Sequence, residues 1–409
     1  MYYYNYRGRL AASPLPDLSL PRAEAGIPPL FLTAGDPVRG CALWRPTAPH
    51  HLTTPASAAW LDRTAGADTE LPEPVRCSLE SGALTAVNIC HPRWEAALER
   101  LTPTSGKKRV HLLAVGDVGG TLLTALKLLG GDCISTVGIC DLNEKAVERW
   151  TAEMGQIAWP WDYGALPEVE PVTADRLFDC DVFLFAATKA IPPVGSAVTD
   201  VRMAQFAANR PLVESFARQA RTAGFQGLFI VMSDPVDPLC KAAYLASNMG
   251  PDGVWDGGGL FAQQVQGFGL GVMNARAAYF AKRDPRFADF LTQGRSFGPH
   301  GHGLVIANSL EHYDDEVSRA LTEQVETANL RIRDLGFKPY VAPAVSSGAM
   351  QLLLTLRGQW RCASMCLGDV WFGARSRLTE QGGEVECLPL PPALRKRLEE
   401  TETLLKAII

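Results

Sequence analysis

Several things are missing from this chain of 409 residues, and each absence narrows what it can be. No apolar stretch approaches the roughly 18 residues that cross a bilayer as a helix, so no membrane span is expected. There is no basic run, and 39 basic against 44 acidic residues leave a formal charge of −5. A nucleic-acid partner, which needs clustered Lys and Arg, is therefore not expected. The opening Met1-Tyr2-Tyr3-Tyr4-Asn5-Tyr6-Arg7 lacks the charged-then-apolar order of a secretory signal, and the chain reads as cytoplasmic. Ten cysteines are present, yet none form paired CxxC motifs. Cys41, Cys77, Cys90, Cys133, Cys140, Cys180, Cys240, Cys362, Cys366 and Cys387 are scattered and read as reduced, structural thiols. No internal repeat or low-complexity tract occurs.

What is present falls into three textures. A composition 47% hydrophobic is enough for a large core divided among domains. Residues 1–105 are proline-rich (Pro14, Pro16, Pro21, Pro28, Pro29, Pro37, Pro46, Pro49) and read as a small irregular accessory module. Its strand candidates are Leu30-Phe31-Leu32 and Leu84 to Val87, with a helical piece from Pro92 to Leu101. The polar linker Thr102 to Lys108 closes it. Over 106–258 apolar strands alternate with helices: Val110–Val115, Ile134–Cys140, Val182–Ala187 and Leu228–Met232. The segment Met203–Thr222 is helical in pattern, with Pro211 expected to break or kink it. That alternation predicts an α/β fold with a doubly wound parallel sheet of Rossmann type. Residues 259–409 predict an α+β unit. Val317, Leu321, Val325, Ala328, Ile332 and Leu335 mark a long amphipathic helix. Leu352–Leu356 and the region of Met365 suggest a buried helix, Glu384–Leu390 a closing strand, and Pro392–Ile408 a terminal helix.

The first chemistry-bearing motif is Ala114-Val115-Gly116-Asp117-Val118-Gly119-Gly120, between the first strand and the next helix. Gly116 lets backbone approach a pyrophosphate, Gly119 lets helix pack on strand, and the helix N-terminus offers free amides to the anion. The position usually filled by the first glycine is Ala114. Asp141 stands 25 residues after Gly116, at the end of the second strand. A carboxylate there accepts from both ribose hydroxyls and repels a 2′-phosphate, which points to NAD rather than NADP.

Further along, Ser233-Asp234-Pro235-Val236-Asp237, Gly267 to Arg276 and Gly298-Pro299-His300-Gly301-His302 follow in order. Together with the glycine turn and Asp141 this order resembles the lactate/malate dehydrogenase family over residues 108–409. The resemblance implies an NAD-dependent oxidoreductase interconverting a 2-oxo acid and a 2-hydroxy acid, working as a homo-oligomer. It implies His300 as proton donor and acceptor, Arg276 as the anchor of a substrate carboxylate, and Arg202 as the group that polarises the carbonyl. It also places Val118, Ala187 and Asn209 with Gly116, Gly119 and Asp141 around the cofactor. The loop from Thr188 to Ser196, long, apolar and doubly prolyl, would set the substrate side chain and argues against a dicarboxylate.

Three positions depart from the family's pattern. Its aspartate partner of the histidine falls at Met273, its substrate-facing asparagine at Asp234, and the aspartate after His-Gly at His302. Losing an orienting carboxylate costs a catalytic histidine on the order of 10⁴ in rate. One expectation is that the charge has moved, with Asp234 reaching His300. The alternatives are a nucleotide-binding or scaffolding protein retired from catalysis, and an enzyme acting on another carbonyl or an imine. A metal held by His300 and His302 lacks a clear third ligand, and no metal is expected.

Overall fold

The computed structural model describes residues 1–100, 106–189 and 201–409. Among the described residues, nine strands form one large sheet. Six of them are parallel and lie in the order Glu168–Pro171, Ile134–Cys140, Lys108–Leu113, Val182–Phe185, Leu228–Val231 and Val265–Gly267. In chain sequence that order is third, second, first, fourth, fifth, sixth, so the direction of winding reverses between Lys108–Leu113 and Val182–Phe185. A crevice opens at the carboxyl ends of the strands at such a reversal. The apolar runs explain the burial. Val182-Phe183-Leu184-Phe185 is buried at every position, because helices cover both faces of a parallel sheet.

The sheet does not stop at the sixth strand. Arg361–Leu367 pairs antiparallel with Val265–Gly267, and Val370–Thr379 and Gly382–Val385 continue it outward. The region of Met365, expected as a buried helix, is therefore a strand; only Met350–Leu356 before it is α-helical. Short apolar runs do not distinguish the two states by periodicity. What decides here is the tight turn at Gly368 (φ +68°), which folds Leu367 onto Val370. The long helix Asp315–Asp334 forms as its pattern predicts, its N-terminus capped by Asp314 accepting from the amides of Glu316 and Val317. The helix Val201–Thr222 runs through Pro211 rather than ending there. Its buried Val213, Ala217 and Ala220 belong to the same core as the helix Val236–Ser247, and that packing offsets the missing backbone bond.

The proline-rich start is more regular than its composition suggests. Tyr2–Tyr6, Arg9–Ser13, Leu30–Thr33, Thr85–Asn88 and Leu43–Trp44 make a five-stranded mixed sheet, and the prolines fall in its connections. It leans on the far C-terminal strands: Arg45 pairs with Glu384 at 2.8 Å, and the Arg45 amide donates to the Gly383 carbonyl at 2.9 Å. All ten cysteines are free thiols. Among the described residues no helix is long and apolar enough to cross a membrane.

Candidate active site

At the carboxyl ends of the parallel strands lies a cavity of about 1770 Å³. A drug-sized ligand fills roughly 300–1,000 Å³, so this space suits a dinucleotide with a small substrate beside it. One end is the glycine turn. The chain leaves Leu113 through Ala114 at φ +75°, a left-handed conformation that costs an L-residue on the order of 1–2 kcal/mol. Gly116 then caps the helix Asp117–Leu129. A β-carbon on Gly119 would sit 1.9 Å from the Ala114 carbonyl oxygen, and one on Gly120 would strike the Trp150 ring at 2.2 Å. Both glycines are therefore required for helix, turn and neighbour to close up. The Trp150 indole N–H in turn donates to the Val115 carbonyl at 3.0 Å.

Asp141 is held in place by the chain itself. Its carboxylate accepts from the Val115 amide at 2.8 Å and the Asn143 amide at 2.9 Å, leaving lone pairs for a diol. Gly116, Val118, Gly119, Asp141 and Ala187 all line the cavity, as do Asp234, Arg276 and His300. The side chain of Arg202 and the loop 190–200 lie outside the described residues; Arg202 is in the first turn of the helix Val201–Thr222. Asn209 is placed differently from the expectation. It is 1% exposed, accepts from the Lys189 amide at 2.8 Å and donates to the Asp234 carbonyl at 2.8 Å. Its amide is consumed pinning two strand ends together and does not line the cavity.

The other end of the cavity belongs to His300. The strand Arg295–Phe297 delivers it through Gly298, whose φ of +83° starts a sharp turn, and the Gly298 amide donates to the Gly373 carbonyl at 2.8 Å. This docks the histidine loop on the antiparallel extension of the sheet. His300 Nδ1 donates to the carbonyl of Gly269 at 3.0 Å. A carbonyl only accepts, so Nδ1 carries the proton and Nε2 is the nitrogen free to exchange one. The same carbonyl accepts from the Ser347 hydroxyl at 2.8 Å, and that hydroxyl accepts from the Val272 amide at 2.8 Å.

The expectation for Asp234 was a carboxylate reaching His300. Among the described residues its carboxylate makes no hydrogen bond to His300, and it lies exposed at the cavity wall. Its charge acts instead on Arg276, opposing the downward pull that burial exerts on the pKa of that guanidinium. Arg276 itself is half-buried, with Nη1 directed to the Val325 carbonyl at 3.3 Å and to the Met273 sulfur at 3.6 Å. Met273, at the position of the missing aspartate, is 2% exposed and packs in the core.

Two contributors went unread in the sequence. Ser347 sits in a π-helical segment, Pro343–Ala349, with no motif around it. Lys338 reaches the helix start across the cavity mouth and pairs with Asp117 at 2.7 Å. Gly269 was visible as a glycine, but nothing in the sequence distinguished its carbonyl as the histidine's partner.

No family model matches the chain. Its sequence is similar to the L-lactate dehydrogenase of Corynebacterium jeikeium (strain K411), 23% identical over 246 residues, which are 58% of this chain and 69% of that protein. It is also similar to the L-lactate dehydrogenase of Treponema denticola, 24% identical over 204 residues, 50% of this chain and 58% of that protein. Among solved structures, the minor L-lactate dehydrogenase from Enterococcus mundtii superimposes with a TM-score of 0.58 at 20% identity, covering 74% of this chain and 97% of that one. The malate dehydrogenase from Archaeoglobus fulgidus, solved with NADH, gives 0.57 at 17% identity over 73% of this chain and 98% of its own. In sequence the chain is similar to L-lactate dehydrogenases, and in fold to lactate and malate dehydrogenases.

Proposed function

We propose that this protein is an NAD-dependent oxidoreductase that interconverts a 2-oxo acid and a 2-hydroxy acid. The observation that carries the reading is that one cavity joins the glycine turn and Asp141 at one end to Arg276 and His300 at the other. NAD(H), when bound, supplies or takes the hydride. Gly116, Val118 and Gly119 would hold its pyrophosphate at the helix start, Asp141 its adenosine ribose, and Ala187 its flank.

The rest of the chemistry belongs to side chains of this chain. Arg276 binds the substrate carboxylate, and the planar guanidinium suits a two-pronged pair. His300 gives a proton from Nε2 to the carbonyl oxygen in reduction and takes it back in oxidation. Arg202 polarises that carbonyl from the helix start. Asp234 shares the cavity wall and moderates Arg276, so the site grips an anion less strongly than an uncompensated arginine would. That placement also favours a second reading, a substrate with a cationic amine or imine beside its carboxylate. We read residues 106–258 as the nucleotide-binding unit and 259–409 as the substrate unit, in a cytoplasmic homo-oligomer.

The test is consumption of NADH by the purified protein against 2-oxo acids, aliphatic to aromatic, and against the same acids with ammonium. Turnover that disappears in His300→Gln establishes the oxidoreductase. Binding of NADH without turnover on any of them would leave only a nucleotide-binding role.

A further inference from the structure

Away from the cavity, three side chains from distant parts of the chain meet in the interior. His50 and His51 lie in the turn Pro49–Leu52, and Cys387 follows the strand Gly382–Val385. Two backbone bonds join Leu388, next to Cys387, to the stretch after that turn: Arg63 N–H to the Leu388 carbonyl at 2.9 Å and Leu388 N–H to the Leu61 carbonyl at 3.1 Å. His50 is 2% exposed, His51 1% and Cys387 3%, and each presents a ligand atom within 4.8 Å of the other two.

The state of each group is informative. Both ring nitrogens of His50 are buried without a hydrogen-bond partner, although buried polar atoms are nearly always satisfied. The Ala59 backbone favours the charged form of the ring without completing a hydrogen bond to it, against the stronger opposing effect of burial. His51 is already oriented as a ligand. Its Nε2–H donates to the Trp60 carbonyl at 2.8 Å, which leaves Nδ1 as the unprotonated nitrogen, accepting from the Thr47 amide at 3.2 Å with the Thr47 hydroxyl at 3.5 Å. Backbone carbonyls fix metal-bound histidines in this way. Burial pushes the Cys387 thiol up to about 12 even with Arg63 opposing, so in the absence of a metal ion it keeps its proton.

We propose that His50, His51 and Cys387 form a site for a thiophilic divalent cation of the zinc class, tying the N-terminal sheet to the C-terminal strands. Two imidazoles and a thiolate are a donor set that selects such an ion. Zinc bonds of about 2.0–2.3 Å require the three donors to draw together by about 1 Å. On binding, the S–H proton leaves to solvent as the sulfur–metal bond forms, and His51 exchanges the Thr47 contact for the ion; no group changes oxidation state. Asp62 is fully buried nearby, but its oxygens already accept from Thr64, Leu390 and Arg395. The fourth position is left to water. None of the three ligands lines the cavity at the strand ends, so the role is structural.

The experiment uses the full-length protein stripped by a chelator and titrated with zinc and with cobalt(II). The expected result is one zinc per chain, a thiolate-to-cobalt charge-transfer band in the near ultraviolet, and a higher melting temperature with metal. Cys387→Ser should abolish the band and weaken zinc binding by more than about 100-fold, beyond the loss of an outer partner; His50→Gln should weaken it comparably. The unsubstituted protein decides the question even if a variant does not fold. Folded protein that neither retains zinc nor gives the cobalt band overturns the proposal, as does undiminished zinc binding by Cys387→Ser.

Discussion

The Gly269 carbonyl accepts two hydrogen bonds at once, from Nδ1 of His300 at 3.0 Å and from the Ser347 hydroxyl at 2.8 Å. A neutral peptide group thus does half of what a carboxylate does beside a catalytic histidine. It fixes the tautomer and the ring plane, but supplies no charge to hold the imidazolium.

That relationship makes Gly269 a sensitive position. A β-carbon there would sit 2.8 Å from the His300 β-carbon, so Gly269→Ala should push the ring off its line. A shift near 1 Å costs turnover on the order of 10²-fold. His300→Gln should lose about 10²–10⁴-fold, the range for a positioned acid–base group. In both variants NADH binding, followed by fluorescence, should stay near that of the parent. Full activity in His300→Gln would remove this histidine from the chemistry.

Asp234 and Arg276 make an opposed pair of predictions. Arg276→Lys exchanges a fork for a point charge and should cut kcat/KM by roughly 10²-fold, mostly through KM. Asp234→Asn removes the charge that moderates Arg276 and should lower KM for a simple 2-oxo acid. Loss of kcat in Asp234→Asn with unchanged KM would instead restore Asp234 as a partner of His300. Steady-state kinetics on the two variants separates these outcomes.

Ala114 carries a conformation that suits glycine, with φ at +75°. Relief of that strain is worth about 1–2 kcal/mol, and the added freedom of a glycine in the unfolded chain takes back about 0.4–1. Ala114→Gly should therefore stabilise the protein by up to about 1.6 kcal/mol, read from urea midpoints. A destabilised variant would show that the alanine methyl is needed for packing at the turn.

His91 sets one term of the acid limit. It lies against Trp255 and Phe261, and its Nδ1 accepts from the Arg93 amide at 3.1 Å. Burial, with the Arg93 charge adding, lowers its pKa from 6.5 to about 4. The unfolded chain therefore binds a proton in that interval that the folded one refuses. The stability is intact above pH 6.5 and drains as pH falls to about 4, by at most about 3 kcal/mol. His91→Gln should flatten the fall of the urea midpoint over that window; an unchanged slope would assign the loss to other groups.

Much of this protein is determined locally and so is legible in its sequence. Buried parallel strands must be apolar throughout, which makes Val182–Phe185 and Leu228–Val231 visible, and the glycine turn with Asp141 has a spacing set by one strand, one helix and one strand. The order of motifs up to His300 carried the resemblance to the lactate/malate dehydrogenases. Only the tertiary structure decided the rest, because those features depend on groups brought together from far apart. Whether the Met365 region became helix or strand rested on pairing with Val265–Gly267 and Val370–Thr379, not on its own periodicity. The partner of His300 is a backbone carbonyl, a group every residue has and no motif can mark. Likewise Asn209 looked like a cofactor contact until the fold turned its amide onto two strand ends, and His50, His51 and Cys387 become neighbours only when the first sheet folds against the last strands.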